Sequence, residues 1–292
     1  MTDASDDSSA GDARGAPALP ALRETIEQYG LGAKKSLGQH FLLDLNITRK
    51  IARLAAVEAG ETVLEIGPGP GGLTRALLDA GARVSAVERD RRCLEALAEL
   101  GRHYPGQLVV TEADALRVDE TALAGAAVPV KIVANLPYNI STELLLKWLK
   151  AGPALWSVMA LMFQKEVADR ILAGPGSRTY GRLSVMAQAA SRPSRGFDLP
   201  ARAFTPPPKV ASSVVLFHPP REDPGALGAL ETVTQAAFSQ RRKMLRSSLK
   251  GVFGAALGPA LDKAGARETQ RAEELSVAQF RSLARALTSP AA

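Results

Sequence analysis

Four consecutive residues, Asn135-Leu136-Pro137-Tyr138, carry groups that can grip the exocyclic amine of a nucleobase. The Asn135 side-chain oxygen and the Leu136 carbonyl are both acceptors for an NH₂ group. Pro137 fixes φ and removes a competing backbone donor, which holds those acceptors in place. Tyr138 then offers a flat face on which a base can stack. Taken alone, the same residues also suit an ordinary proline turn at the end of a strand.

A second group with chemical content is Val63-Leu64-Glu65-Ile66-Gly67-Pro68-Gly69-Pro70-Gly71-Gly72-Leu73-Thr74. A buried strand runs into a glycine-rich turn and then a helix. Glycines such as Gly67 and Gly69 let the backbone approach a ligand, and the helix amino terminus offers free N–H groups. The pattern fits both Gly-x-Gly-x-Gly and Gly-x-Gly-x-x-Gly, so it serves an adenosylmethionine site or a dinucleotide site. Glu88 follows 21 positions after Gly67 and can accept from two vicinal ribose hydroxyls. Its plainer role is one acid in the charged run Glu88–Arg92. Asp114 ends the next strand, where it can accept from the adenine amine of the same cofactor or cap a helix. Glu65, beside the glycines, is placed to order their amides. A dehydrogenase accounts for the glycine turn and Glu88 but has no use for Asn135–Tyr138. A methyltransferase acting on an adenine amine needs both halves.

These residues require strands that end where they stand. Thr62–Ile66, Arg83–Glu88, Leu108–Thr111, Lys131–Ala134, Trp156–Phe163 and Val214–Phe217 read as strands, with amphipathic segments between the earlier ones. That alternation predicts an α/β fold, a Rossmann-like parallel sheet with helices on both faces. Proline-rich turns late in the region predict a terminal hairpin on the sheet. Residues 219–225 (Pro-Pro-Arg-Glu-Asp-Pro-Gly) read as a linker, and the chain beyond is helical in pattern. The expected organisation is a disordered leader at 1–20, a ligand-binding α/β domain at 21–219 and a small all-helical domain at 220–292.

Of the chain's 292 residues, 46% are hydrophobic, enough for a substantial core and two domains. No apolar run has the length of a membrane span and no signal peptide is evident. One cysteine, Cys93, and three scattered histidines argue against a disulfide or a metal centre, and the expected setting is a reducing cytoplasm. Residues 1–33 carry six acids and two bases; residues 200–292 carry 13 bases and seven acids, a net of +6. Such a basic terminal third suits a phosphate-binding surface, or a solvated helix face without a ligand. Within it, Arg242, Arg246 and Lys250 recur every four residues, which predicts one helix face turned toward phosphates.

The chain resembles the ribosomal RNA adenine N6-dimethyltransferases of the KsgA (RsmA) type. The resemblance rests on Lys35–Leu42 (Lys-Ser-Leu-Gly-Gln-His-Phe-Leu), the glycine turn, residues 135–142 (Asn-Leu-Pro-Tyr-Asn-Ile-Ser-Thr), Gln164–Val167, Tyr180–Val185, Phe204–Val210 and Gln240–Lys243. These stand in family order from about residue 34 to 250. The family implies a class I methyltransferase domain followed by a small helical domain. It also implies S-adenosylmethionine as cofactor and four methyl transfers to two adjacent adenosines in the 3′-terminal hairpin of 16S rRNA, within a precursor of the small ribosomal subunit.

Carried over by position, the cofactor residues are His40, Leu42, Gly67, Glu88, Asp114 and Asn135. His40 stands where many members have Asn, at the methionine end of the cofactor; the alternative is a helix-entry residue without a ligand. Phe204, before Pro206, is a candidate for the far side of the target base or, equally, a buried hairpin anchor. The expected protein is a monomeric cytoplasmic enzyme. Three other readings stand beside it: a 23S rRNA methyltransferase of the macrolide-resistance type, a binding protein built on this fold, and a DNA adenine methyltransferase. The Tyr180–Val185 and Phe204–Val210 segments resemble the small-subunit enzyme more closely.

Overall fold

A computed structural model of the chain describes residues 19–33 and 39–288. Apart from Leu19 and Pro20, the expected leader lies outside the described residues, as does the 35–38 part of the first family motif.

The main sheet is built from β2 (Thr62–Ile66), β3 (Arg83–Glu88), β4 (Leu108–Glu112), β5 (Val130–Asn135), β6 (Trp156–Gln164), β7 (Arg192–Leu199) and β9 (Ser212–His218). The strand order is β4-β3-β2-β5-β6-β9-β7. The first five strands pair in parallel, whereas β9 runs antiparallel to both β6 and β7. Each central strand is apolar on both faces, because each face is covered by helices. Leu64, Ile66, Ile132, Ala134, Leu161 and Phe163 belong to one core. Val63, Val84, Val133, Ala160 and Met162 belong to the other. This is the period-two alternation of a pleated strand.

Two short strands lie apart from the sheet. β1 (Phe41–Leu42) pairs antiparallel with β8 (Phe204–Thr205), with Leu42 opposite Phe204. The ribbon fastens the amino-terminal loop to the segment between β7 and β9.

From β2 the chain lays down β3 and β4 outward on one side and then returns to place β5 on the other. The carboxyl ends of β2 and β5 therefore face a crevice at the point where strand order reverses, the usual ligand site of an open α/β sheet. The glycine turn follows β2, and Asn135 ends β5.

Beyond β9 the described chain is helical, beginning with Leu227–Ser239 and ending with Val277–Thr288. These helices share a third core with the segment that precedes β7. The helix Arg182–Ala190 belongs to two cores. Its Ala187 and Ala190 pack toward the sheet, and its Val185, Met186 and Ala189 pack among the carboxyl-terminal helices.

The structure corrects the reading of Arg242, Arg246 and Lys250 as one helix face. The helix Leu227–Ser239 stops short of Arg242, and Arg246 and Lys250 fall in two separate short helices, Leu245–Ser248 and Lys250–Phe253. Here the Leu245 and Arg246 amides donate to the carbonyls of Gln270 and Glu268, which pulls the backbone out of a continuous helix. All three side chains are exposed.

Candidate active site

The crevice at the sheet's carboxyl edge is a cavity lined by His40, Leu42, Gly67, Gly69, Glu88 and Asp114 together with Asn135, Leu136, Pro137 and Tyr138. The fold thus brings to one place ten positions that span nearly a hundred residues of sequence.

The cradle begins at Gly67, whose φ of 67° lies in the left-handed region that a side chain disfavours. Its amide donates to the Val87 carbonyl at 2.9 Å, so the chain turns as the β2–β3 ladder ends. Gly72 opens the helix Gly72–Asp79 against the β1 backbone, and a Cβ there would stand 2.6 Å from the Leu42 carbonyl oxygen. Close packing of turn, helix and amino-terminal loop depends on that missing atom.

Glu88 is buried at the end of β3. One carboxylate oxygen accepts from the Gly69 amide at 2.9 Å, and the other accepts from the Arg89 and Asp90 amides at 2.8 and 2.7 Å. Burial pushes its pKa up, against these three amides, which favour the charged form. The oxygen facing Gly69 carries a single such bond and retains capacity for a further donor. Asp114 lies two residues beyond β4. Its carboxylate accepts from the Leu116 amide at 3.1 Å and sits 3.5 Å from the Arg89 guanidinium. It therefore caps a local turn and also faces the cavity.

Glu65 differs from the sequence expectation. It is 1% exposed, and its Oε2 has no hydrogen-bond partner. Burial pushes its carboxyl up to about 8; the nearby Thr74 hydroxyl opposes this and the Glu88 charge adds to it. It orders none of the glycine amides by a direct bond among the described residues.

At the other wall the Asn135 Nδ2 donates to the His40 carbonyl at 3.1 Å. A carbonyl can only accept, so the amide nitrogen is fixed on that side and the oxygen turns away from it. His40 is held in turn, its Nδ1 donating to the Pro206 carbonyl at 2.8 Å. Its ring lies 5.5 Å from that of Tyr138, tilted by 30°. The Tyr138 and Ser212 hydroxyls share a hydrogen bond of 2.6 Å, and burial raises the phenol pKa. Ser212 carried no sequence signal, because its role exists only once β9 lies beside β6.

Phe204 is corrected. At 2% exposed it is packed within the core opposite Leu42, so it is the hairpin anchor and presents no face to a base.

Among the described residues, no helix is long and apolar enough to cross a membrane. A parallel sheet closed by an antiparallel strand, with the cradle and a buried acid at its switch point, is the architecture of a class I methyltransferase. A dimethyladenosine transferase from Plasmodium falciparum has this fold, with a TM-score of 0.69 and 26% identity over 84% of this chain and 96% of that one. The 23S rRNA methyltransferase ErmE follows with a TM-score of 0.65 and 26% identity, over 85% and 100%. In sequence, the pattern of the ribosomal RNA adenine dimethylase family matches residues 30–289, and the chain belongs to that family. A ribosomal RNA small subunit methyltransferase A from Chelativorans sp. (strain BNC1) is 58% identical over 91% of this chain and 98% of its own. One from Agrobacterium fabrum is 55% identical over 92% and 98%.

Proposed function

We propose that this chain methylates N6 of two adjacent adenosines in the 3′-terminal hairpin of 16S rRNA during small-subunit assembly, with S-adenosylmethionine as donor. Membership of the adenine dimethylase family, and whole-length identity above half to small-subunit enzymes, support the substrate over the large-subunit alternative. The observation that carries the mechanism is the Asn135–His40 bond, which leaves an amide oxygen free at the cavity wall.

The cavity suits the cofactor in its own terms. Gly67 and Gly69 bring backbone close, Glu88 retains acceptor capacity for ribose hydroxyls, and Asp114 faces the cavity where an adenine amine can be held. Bound there, the cofactor supplies an electrophilic methyl group. An adenine N6 lone pair is delocalised into the ring and is a poor nucleophile. The Asn135 oxygen and the Leu136 carbonyl accept its two hydrogens and draw the nitrogen toward a tetrahedral shape. They thereby favour a transition state in which the nitrogen gains positive charge. No side chain has to remove a proton first. Tyr138 stacks on the flipped base, and its ring is already steadied by Ser212 and His40. The methylated, cationic nitrogen then releases one proton to water, so the amine keeps one hydrogen and its lone pair, and the same site serves the second transfer.

In this reading residues 21–219 form the methyltransferase domain and 220–292 a helical domain whose exposed Arg242, Arg246 and Lys250 meet phosphates. The enzyme works as a monomer in the cytoplasm. The test is transfer of labelled methyl groups to undermethylated ribosomal subunits, with the modified positions mapped by primer extension. Dimethyladenosine at two adjacent small-subunit positions is the expected result. Label on large-subunit RNA would overturn the substrate.

A further inference from the structure

A flipped adenine presents two flat faces, and Tyr138 covers one of them. Among the described residues the cavity is lined by three rings, those of His40, Phe41 and Tyr138. Phe41 is buried, and its ring packs over Gly69, where a Cβ would stand 3.1 Å from the ring edge. It is part of the cofactor cradle. Phe204 is buried in the core and does not line the cavity. His40 is the ring that remains, and it is half-buried.

The His40 and Tyr138 ring centroids are 5.5 Å apart and the planes are tilted by 30°, the geometry of two aromatics lying offset on one another. Two rings with a base between them stand about 7 Å apart, twice the rise of about 3.4 Å between stacked bases. The observed gap is narrower than that by about 1.5 Å, so an entering base has to part the rings. Their anchors differ. Tyr138 is tied through its hydroxyl to Ser212, which is fully buried in β9. The His40 ring is tied by one Nδ1 bond to the carbonyl of Pro206, in an exposed turn. His40 is therefore the ring that gives way. Its main chain stays in place, because its carbonyl accepts from Asn135 and the next residue, Phe41, pairs with Thr205 in the β1–β8 ribbon.

We propose that the His40 imidazole is the second stacking wall of the target-base slot, opposite Tyr138. The assignment rests on the adenine substrate proposed above. An entering adenine pushes the imidazole outward by the missing distance and is clasped between the two rings. The bond from Asn135 to the His40 carbonyl keeps this wall in register with the group that accepts the amine. An Asn at this position, as in many members of the family, offers no such face. The clasp is thus a feature of this chain that strengthens capture of the base, and the methyl-transfer chemistry does not depend on it.

The test is steady-state methyl transfer to undermethylated small subunits by the full-length protein and its variants His40→Ala, His40→Phe and His40→Asn. Calorimetric titration with adenosylmethionine and melting temperatures are measured beside it. His40→Ala should raise KM for the subunits about five- to tenfold, the lower range for loss of one stacking contact. The change should fall on KM rather than on kcat or cofactor affinity. His40→Phe keeps a ring without the bond to Pro206 and should restore the wild-type KM. His40→Asn is polar without a ring and should behave as alanine does. A role in bracing the loop or in holding the cofactor predicts the opposite order, since it needs the polar atoms. An unchanged KM in His40→Ala, rescue by Asn but not by Phe, or a loss of cofactor affinity that accounts for the kinetic change would each overturn the wall. Wild-type protein that leaves small-subunit adenosines unmethylated would overturn the functional reading beneath it; an active wild type with a kinetically silent His40→Ala overturns the wall alone.

Discussion

Glu88, Asn135 and His40 are each held by the protein's own backbone, whereas Arg242, Arg246 and Lys250 project into water. The Glu88 carboxylate is fixed by three amides and the Asn135 amide by a carbonyl. Arg242, Arg246 and Lys250 have no ion pair among the described residues and are exposed. A transition state demands acceptors that are already aimed before the reactants arrive. A phosphate backbone demands only charge within reach, and a long flexible side chain supplies it. Removing a group from the first region should therefore cause a large, specific loss, and removing one from the second a small, salt-dependent one.

The largest effect expected is that of Asn135→Ala. It should lower the methyl-transfer rate by about 10²–10³, the range for removal of one donor or acceptor aimed at a transition state. Because Asn135 also braces the His40 loop, cofactor affinity must be measured beside turnover; a normal rate would mean that other groups hold the amine. Glu88→Ala comes next. Removal of a charge-assisted acceptor, at about 1.5–3 kcal/mol, should weaken adenosylmethionine binding roughly ten- to hundredfold in a calorimetric titration. Unchanged affinity would remove Glu88 from the cofactor site. Tyr138→Phe should cost less, about 0.5–1.5 kcal/mol, because the ring remains and only the bond to Ser212 disappears. It should appear as a modest rise in KM for the RNA with kcat retained. Alanine at Arg242, Arg246 and Lys250 together should leave turnover on saturating substrate intact and flatten the salt dependence of RNA binding; an identical slope would mean that the three are merely hydrated.

Glu65 bears on stability rather than on turnover, and its effect is read through pH. Its carboxyl titrates at about 8 in the folded chain and near 4.5 when unfolded, so the folded form holds the extra proton between those values. Stability contributed by the protonated group is complete below the unfolded value and is lost as pH rises through 8. Glu65→Gln should accordingly flatten the fall of melting temperature between pH 5 and 8. A parallel curve for the two proteins would place the ionisation elsewhere.

The central strands were legible because burial on both faces leaves a near-continuous apolar record. The expected bounds of Thr62–Ile66 and Arg83–Glu88 are those observed. β7 was not legible, since its sequence Arg-Pro-Ser-Arg-Gly-Phe-Asp-Leu belongs to a mostly exposed edge strand with little to bury. β1 and β8, two residues each, lie below the length at which any period shows. The cavity residues could be found because chemistry restricts them to few residue types beside recognisable turns. Phe204 could not be assigned, since burial of a turn aromatic depends on the register of a ribbon closed from 162 residues away, Leu42 to Phe204. The i, i+4 series of bases failed for a related reason. Spacing measures a helix face only where the backbone stays helical, and bonds from Leu245 and Arg246 to distant carbonyls decide otherwise.

The helix Arg182–Ala190, packed on one side toward the sheet and on the other among the last helices, bears on how the molecule comes apart. A chain cut after Pro219 would expose Val185, Met186, Ala189 and Tyr180 as an oily stripe, prone to self-association. Neither half can melt without stripping a wall from the other, so calorimetry should record one cooperative endotherm whose van't Hoff and calorimetric enthalpies agree.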